Sequence, residues 1–231
     1  MNRALFIACT VLILLANASS LWSADCKQCH TAKGVKERAP AVEPIVLKHE
    51  GRSRIIELSD AFKVHGHSCP GMTTTFLAFQ YAMDKLYGKE IPEQEDLVIV
   101  SRTPTPGCLD FLDLVMMGNK GKGKTVAPEG MRASRENYCY TFYRKSTGTA
   151  VDIRLKPESY PKDFFKLKKK HTAGKMTPEE WDRLHGYMKD IILNFPKKSA
   201  AELFGNPQPY RVIFWGRLLP AHAAPETQNK N

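Results

Sequence analysis

Apolar residues recur at helical spacing in three stretches of the chain and follow strand-like patterns in several others. From Met72 to Tyr87, the residues Phe76, Phe79, Met83 and Leu86 share one face and Gly88 supplies a stop, so the spacing predicts a helix. Leu109 to Met117 predicts a second helix, after the turn Pro104-Thr105-Pro106-Gly107. Thr177-Pro178-Glu179-Glu180 is a helix start, with Thr as N-cap, Pro at the first position and Glu at the third. Trp181, Leu184, Met188, Ile191 and Ile192 form the apolar face behind it, and Pro196 ends it. Ser59-Asp60 predicts a short helical turn, and Ser199 opens another short helix. Leu97 to Val100 reads as a buried strand. Tyr138 to Arg144 and Ala150 to Leu155 read as a hairpin turning at Ser146-Thr147-Gly148, and a further strand is predicted around Arg211 to Trp215. Residues 25–50 are polar and Lys-rich, broken by Pro40 and Pro44, and Gly118 to Lys124 reads as a loop. Helices and strands mix without a βαβ rhythm, which predicts an α+β fold with a mainly antiparallel sheet.

The N-terminus changes the picture. Met1-Asn2-Arg3 is a short basic segment, Ala4 to Ala16 is an apolar run, and small and polar residues follow before Asp25. That is the pattern of a secretory signal peptide, here 1–24, and the run is too short for a hydrocarbon core of about 30 Å. The expected address is therefore periplasmic or otherwise extracytoplasmic, with no integral membrane span once the signal is cleaved. The formal net charge of +10 suits acidic partners or anionic surfaces, and export argues against nucleic acid. Five cysteines lie beyond the signal: Cys26, Cys29, Cys69, Cys108 and Cys139. An odd number in an oxidising compartment cannot all be paired within the chain.

Cys26-Lys27-Gln28-Cys29-His30 has the spacing of a covalent haem c attachment site. Two thiols add to the vinyl groups of one porphyrin and the adjacent imidazole is held against the iron. A disulfide between Cys26 and Cys29, or half of a zinc site, are the plainer alternatives, although residues 31–64 offer only His49 as a further histidine. The segment 25–54 is too short for a complete cytochrome domain, so it reads as a haem-bearing extension. A sixth iron ligand would come from His49, His171, His185 or Met176, with His185 better explained as structural.

His65-Gly66-His67-Ser68-Cys69-Pro70-Gly71 gathers three metal-ligand side chains within five residues. On an extended backbone His65, His67 and Cys69 would share one side. Pro70 and Gly71 open the following helix, whose N-terminal amides favour a thiolate at Cys69. An inert histidine-rich loop is the plainer alternative. Asp60-Ala61-Phe62 leading into this motif resembles the opening of the FmdE family, which takes its name from formylmethanofuran dehydrogenase. The similarity continues through Tyr87, Asp96 to Val100, Cys108, Gly121-Lys122-Gly123 and Tyr140-Thr141-Phe142-Tyr143-Arg144, with an echo at Ala201-Glu202-Leu203-Phe204. It spans roughly 55–205 and leaves 206–231 as a C-terminal strand and tail. The resemblance implies a dimeric α+β core in which His65, His67, Cys69 and Cys108 hold zinc or another divalent transition metal. In the family an aspartate follows the second cysteine by three residues. Here Asp110 follows Cys108 by two, and the chain lacks a C-terminal Cys-x-x-Cys pair. Cys139, inside a strand, reads as a small buried apolar residue.

The leading expectation is an exported redox protein, passing electrons between a haem and the Cys/His site or a redox partner. A haem- or metal-based sensory or ligand-binding module is the second. A metal-dependent enzyme acting on a small carbonyl or formyl compound is the third, and it rests on the resemblance.

Overall fold

A computed structural model describes residues 39–103, 105–117, 124–126 and 137–213, with backbone only at 124–126. The signal peptide, Cys26, Cys29, His30, the 118–123 loop and the tail from 214 lie outside the described residues. No helix among the described residues is long and apolar enough to cross a membrane.

The chain enters through a hairpin, β1 (Ile45–His49) and β2 (Arg52–Ile56), closed by Glu50 and Gly51 at φ 49° and 74°. Positive φ at both central residues fits the right-handed twist of paired strands. Ile45, Leu47 and Ile56 are buried in the common core, so the packed body takes in the hairpin as well as the residues after 55. Helix α1 (Leu58–His65) is capped by Glu57 and Asp60 and stops at Gly66, whose φ of 87° suits glycine. Helix α2 (Pro70–Tyr87) follows, with Pro at its start. Then come β3 (Leu97–Ser101), α3 (Pro106–Met116), β4 (Lys124–Val126), β5 (Cys139–Arg144) and β6 (Thr149–Arg154). Helix α4 (Phe164–Thr172), α5 (Pro178–Asn194), α6 (Ala200–Phe204) and β7 (Tyr210–Arg211) complete the described elements, with 3-10 turns at Gln94–Asp96, Pro157–Ser159 and Phe195–Lys197.

The main sheet has the order β4-β3-β5-β6-β7. Its β3–β4 pair is parallel and the other pairs are antiparallel. The fold is α+β. Strands alternate as their sequence requires: Leu97, Ile99 and Ser101 of β3 are buried between half-buried Val98 and Val100. Helix α2 is the hub, packing on α1, α3, α5, α6 and the sheet. Phe79 meets Phe111 at 6.0 Å and Phe142 at 5.7 Å, joining α2, α3 and β5 through edge-on rings.

The starts of α5 and α6 and the β5–β6 hairpin lie where the sequence places them. Helix α3 begins three residues before Leu109, and Lys124 opens β4 rather than closing a loop. The Lys-rich stretch after Lys162 forms α4, because Phe164 and Leu167 bury one face while the lysines stay on the others.

Candidate metal centre

The first turn of α2 is held from inside. Thr73, Thr74 and Thr75 are fully buried, and their hydroxyls donate to the carbonyls of Cys69, Pro70 and Gly71 at 3.0, 2.8 and 2.8 Å. Two of them also reach tyrosine hydroxyls, Thr74 to Tyr160 at 3.0 Å and Thr75 to Tyr140 at 2.8 Å. These bonds satisfy buried polar groups that would otherwise each cost about 1–3 kcal/mol. They also fix the backbone from which Cys69 projects as N-cap residue.

Three potential ligand atoms, one each from His65, His67 and Cys69, lie within 4.8 Å of one another. The route to this cluster differs from simple strand alternation. His65 is the last residue of α1, Gly66 turns the chain through a left-handed conformation, and the chain is extended again at Cys69. The imidazole rings of His65 and His67 stand 4.3 Å apart. Nδ1 of His65 is bonded to Asp110 Oδ2 at 2.6 Å, which leaves Nε2 for the thiol side. The His65 side chain is 10% exposed and that of Asp110 43%, so the carboxylate reaches in from solvent.

Room for the cluster depends on Gly107, in the first turn of α3. A Cβ there would stand 2.6 Å from Cys69 Sγ and 3.3 Å from His65 Nε2. The N-termini of α2 and α3 thus both meet Cys69, where their unpaired amides and dipoles favour negative charge. Burial opposes ionisation of the Cys69 thiol, but hydrogen bonds with His65 and His67 outweigh it and bring the thiol down to about 6. The same bond to Cys69, against burial and with Asp110 helping, raises His65 to about 9. Thiolate and imidazolium therefore coexist near neutral pH in the metal-free site.

Cys108 does not join them. It is fully buried, accepts from the Thr105 hydroxyl at 2.8 Å and lies 3.4 Å from the Gly71 carbonyl. Burial pushes this thiol up to about 11, so it is neutral. Two residues along a helix turn the side chain by about 200°, so Asp110 faces His65 while Cys108 faces the Tyr140 side of the core. Cys139 is buried, as its strand position implies. Of the other histidines, His49 is bound to Glu95 at 2.5 Å and His185 lies edge-on to Trp181 at 4.1 Å. His171 stacks on Trp181 at 4.9 Å, and Met176 packs against the core.

The cluster sits in a cleft of about 1190 Å³ whose walls include Tyr138, Phe165, Met188 and His171. The donor set of two imidazoles and one thiolate fits zinc or a similar transition metal, with three protein ligands and one position left for another group.

The family model described as FmdE, molybdenum formylmethanofuran dehydrogenase operon, matches residues 64–205. The chain belongs to the FmdE family. No curated protein matches it. Among solved structures, the FmdE chain is similar to a tungsten formylmethanofuran dehydrogenase FmdE-like protein from Syntrophus aciditrophicus. The two are 17% identical over 65% of this chain and 68% of the other, with a TM-score of 0.35. Family membership and the donor set agree on a metal-associated role for the FmdE domain.

Sequence reasoning found His65, His67 and Cys69 but missed Gly107. A glycine in the first turn of a helix is a poor helix former, and that is the signal that could have found it.

Proposed function

We propose that this FmdE protein is an exported redox protein. His65, His67 and Cys69 would hold a divalent transition metal, and a haem c at Cys26, Cys29 and His30 would exchange electrons with that site or with a partner. The observation that carries the metal part is the convergence of two imidazoles and an ionisable thiol within 4.8 Å. The haem part is supported by the sequence Cys26-Lys27-Gln28-Cys29-His30 and by the preceding signal pattern. Within the site, Asp110 orients His65, Gly107 leaves space for the thiol, and the threonine ladder keeps Cys69 in place. A metal bound there would supply Lewis acidity or a redox centre.

The cleft favours a second reading, a metal-dependent enzyme acting on a small carbonyl or formyl compound. The residues that hold the metal are the same, and the cleft admits the substrate.

The test is an absorption spectrum and metal analysis of the full chain made alongside haem-attachment machinery. Covalent haem with a reversible potential and no carbon monoxide binding is expected for electron transfer. Absence of covalent haem would sink the redox reading, and turnover abolished by Cys69→Ser with an unchanged haem spectrum would favour the enzyme.

A further inference from the structure

Beyond the His65/His67/Cys69 cluster, the charged side chains among the described lining residues of the cleft are lysines. Among the described residues its lining includes Lys166, Lys168 and Lys169 and no aspartate or glutamate. Nearby carboxylates are already engaged: Glu180 pairs with Lys170, and Asp163 with Arg183 at 3.4 Å. Among the described residues none of Lys166, Lys168 and Lys169 forms an ion pair. Among the described lining residues the negative charge is confined to the Cys69 thiolate at the metal cluster. Tyr138, Phe165 and Met188 give the wall an apolar part, the two rings tilted by 52° with centroids 5.8 Å apart. At about 1190 Å³ the cleft exceeds the usual ligand pocket of about 300–1,000 Å³.

We infer that this cleft binds an organic anion with a flat apolar body, its carboxylates held by Lys166, Lys168 and Lys169 and its ring system against Tyr138, Phe165 and Met188. This deepens the metal reading, because a ligand seated there would share the cleft with His65, His67 and Cys69, the residues that would hold the metal. Lysines at the mouth of an apolar cleft attract the anion from a distance and hold it by charge, while the rings supply contact area. Two sources share this chemistry: a free aromatic carboxylate, and the propionate-bearing porphyrin of the chain's own haem.

The test is calorimetric titration of the full chain with 2-naphthoate, beside the neutral alcohol 2-naphthylmethanol, with and without prior removal of metal by chelation. Naphthoate is expected to bind one per chain and about tenfold or more tighter than the alcohol at low salt. Lys166→Gln, Lys168→Gln and Lys169→Gln together are expected to weaken naphthoate about tenfold and the alcohol less than about twofold. All three side chains are exposed, and circular dichroism checks that the fold is kept. Repeating the titration on haem-bearing protein and on Cys26→Ala/Cys29→Ala protein separates the sources. Naphthoate excluded only where haem is attached identifies the porphyrin as occupant, and equal binding identifies a free anion. Lysine-dependent binding in a protein that holds no metal would sink the metal reading and keep this one. Equal affinity for the two probes, indifference to the lysine substitutions, or binding of neither probe in any form of the protein would overturn it.

Discussion

At Cys69 the thiol meets two imidazoles, the starts of two helices and the bare Cα of Gly107 within a few ångströms. A thiol so placed is a thiolate at neutral pH, which fits either a ligand or a nucleophile. In metal-free protein, alkylation of Cys69 by iodoacetamide is expected to reach half its limiting rate near pH 6 and to fall below it, since the shift is downward from the ordinary thiol value. His65→Ala removes the lowering partner and should move that midpoint up; a wild-type midpoint near 8.5 would contradict the geometry. Gly107→Ala forces a Cβ to 2.6 Å from Sγ. Overpacking of this kind costs about 1–3 kcal/mol in urea unfolding and should also weaken metal binding. Asp110→Asn should lower metal affinity about 10–100-fold, as losses of a histidine's outer partner do. The three residues of the cluster were legible in the sequence because their spacing is local. Asp110 was singled out only through the resemblance and without its contact to His65, and Gly107 was not singled out, because their place depends on how α3 docks about forty residues later.

Among the elements, those with end signals were the readable ones. Helix α5 starts where Thr177 and Glu180 predict, with Glu180 N donating to Thr177 Oγ1 at 3.2 Å and Thr177 N to Glu180 Oε2 at 3.3 Å. Thr177→Ala is expected to cost about 1 kcal/mol in urea unfolding, the usual loss for an N-cap, and no change would show that the box contributes nothing. The hairpin β1–β2 was hidden because its strands are short and half polar, and long-range partners fix it. Arg54 of β2 donates to Gln94 at 2.9 Å and to the Val115 and Leu114 carbonyls at the end of α3, at 3.1 and 3.2 Å. Helix α4 was hidden by its lysines, since only Phe164 and Leu167 mark its buried face.

On the scale of the whole molecule, the α+β class followed from the mixture of elements without βαβ order, whereas the cleft is lined jointly by α4 and by the starts of α2 and α3. No local pattern contains that juxtaposition. A metal that binds only the folded chain stabilises it by mass action, so zinc at about 100 times its dissociation constant should add about 2.7 kcal/mol to unfolding and raise Tm. Unchanged Tm on adding zinc or on chelation would count against the site. The most direct measurement is elemental analysis of purified wild-type protein beside His67→Ala and Cys69→Ser, with haem iron counted separately. About one non-haem divalent transition metal per wild-type chain, falling to a small fraction in both variants, is the expected result. A wild-type protein without such a metal, or variants that retain it in full, would contradict the assignment of His65, His67 and Cys69 as its ligands.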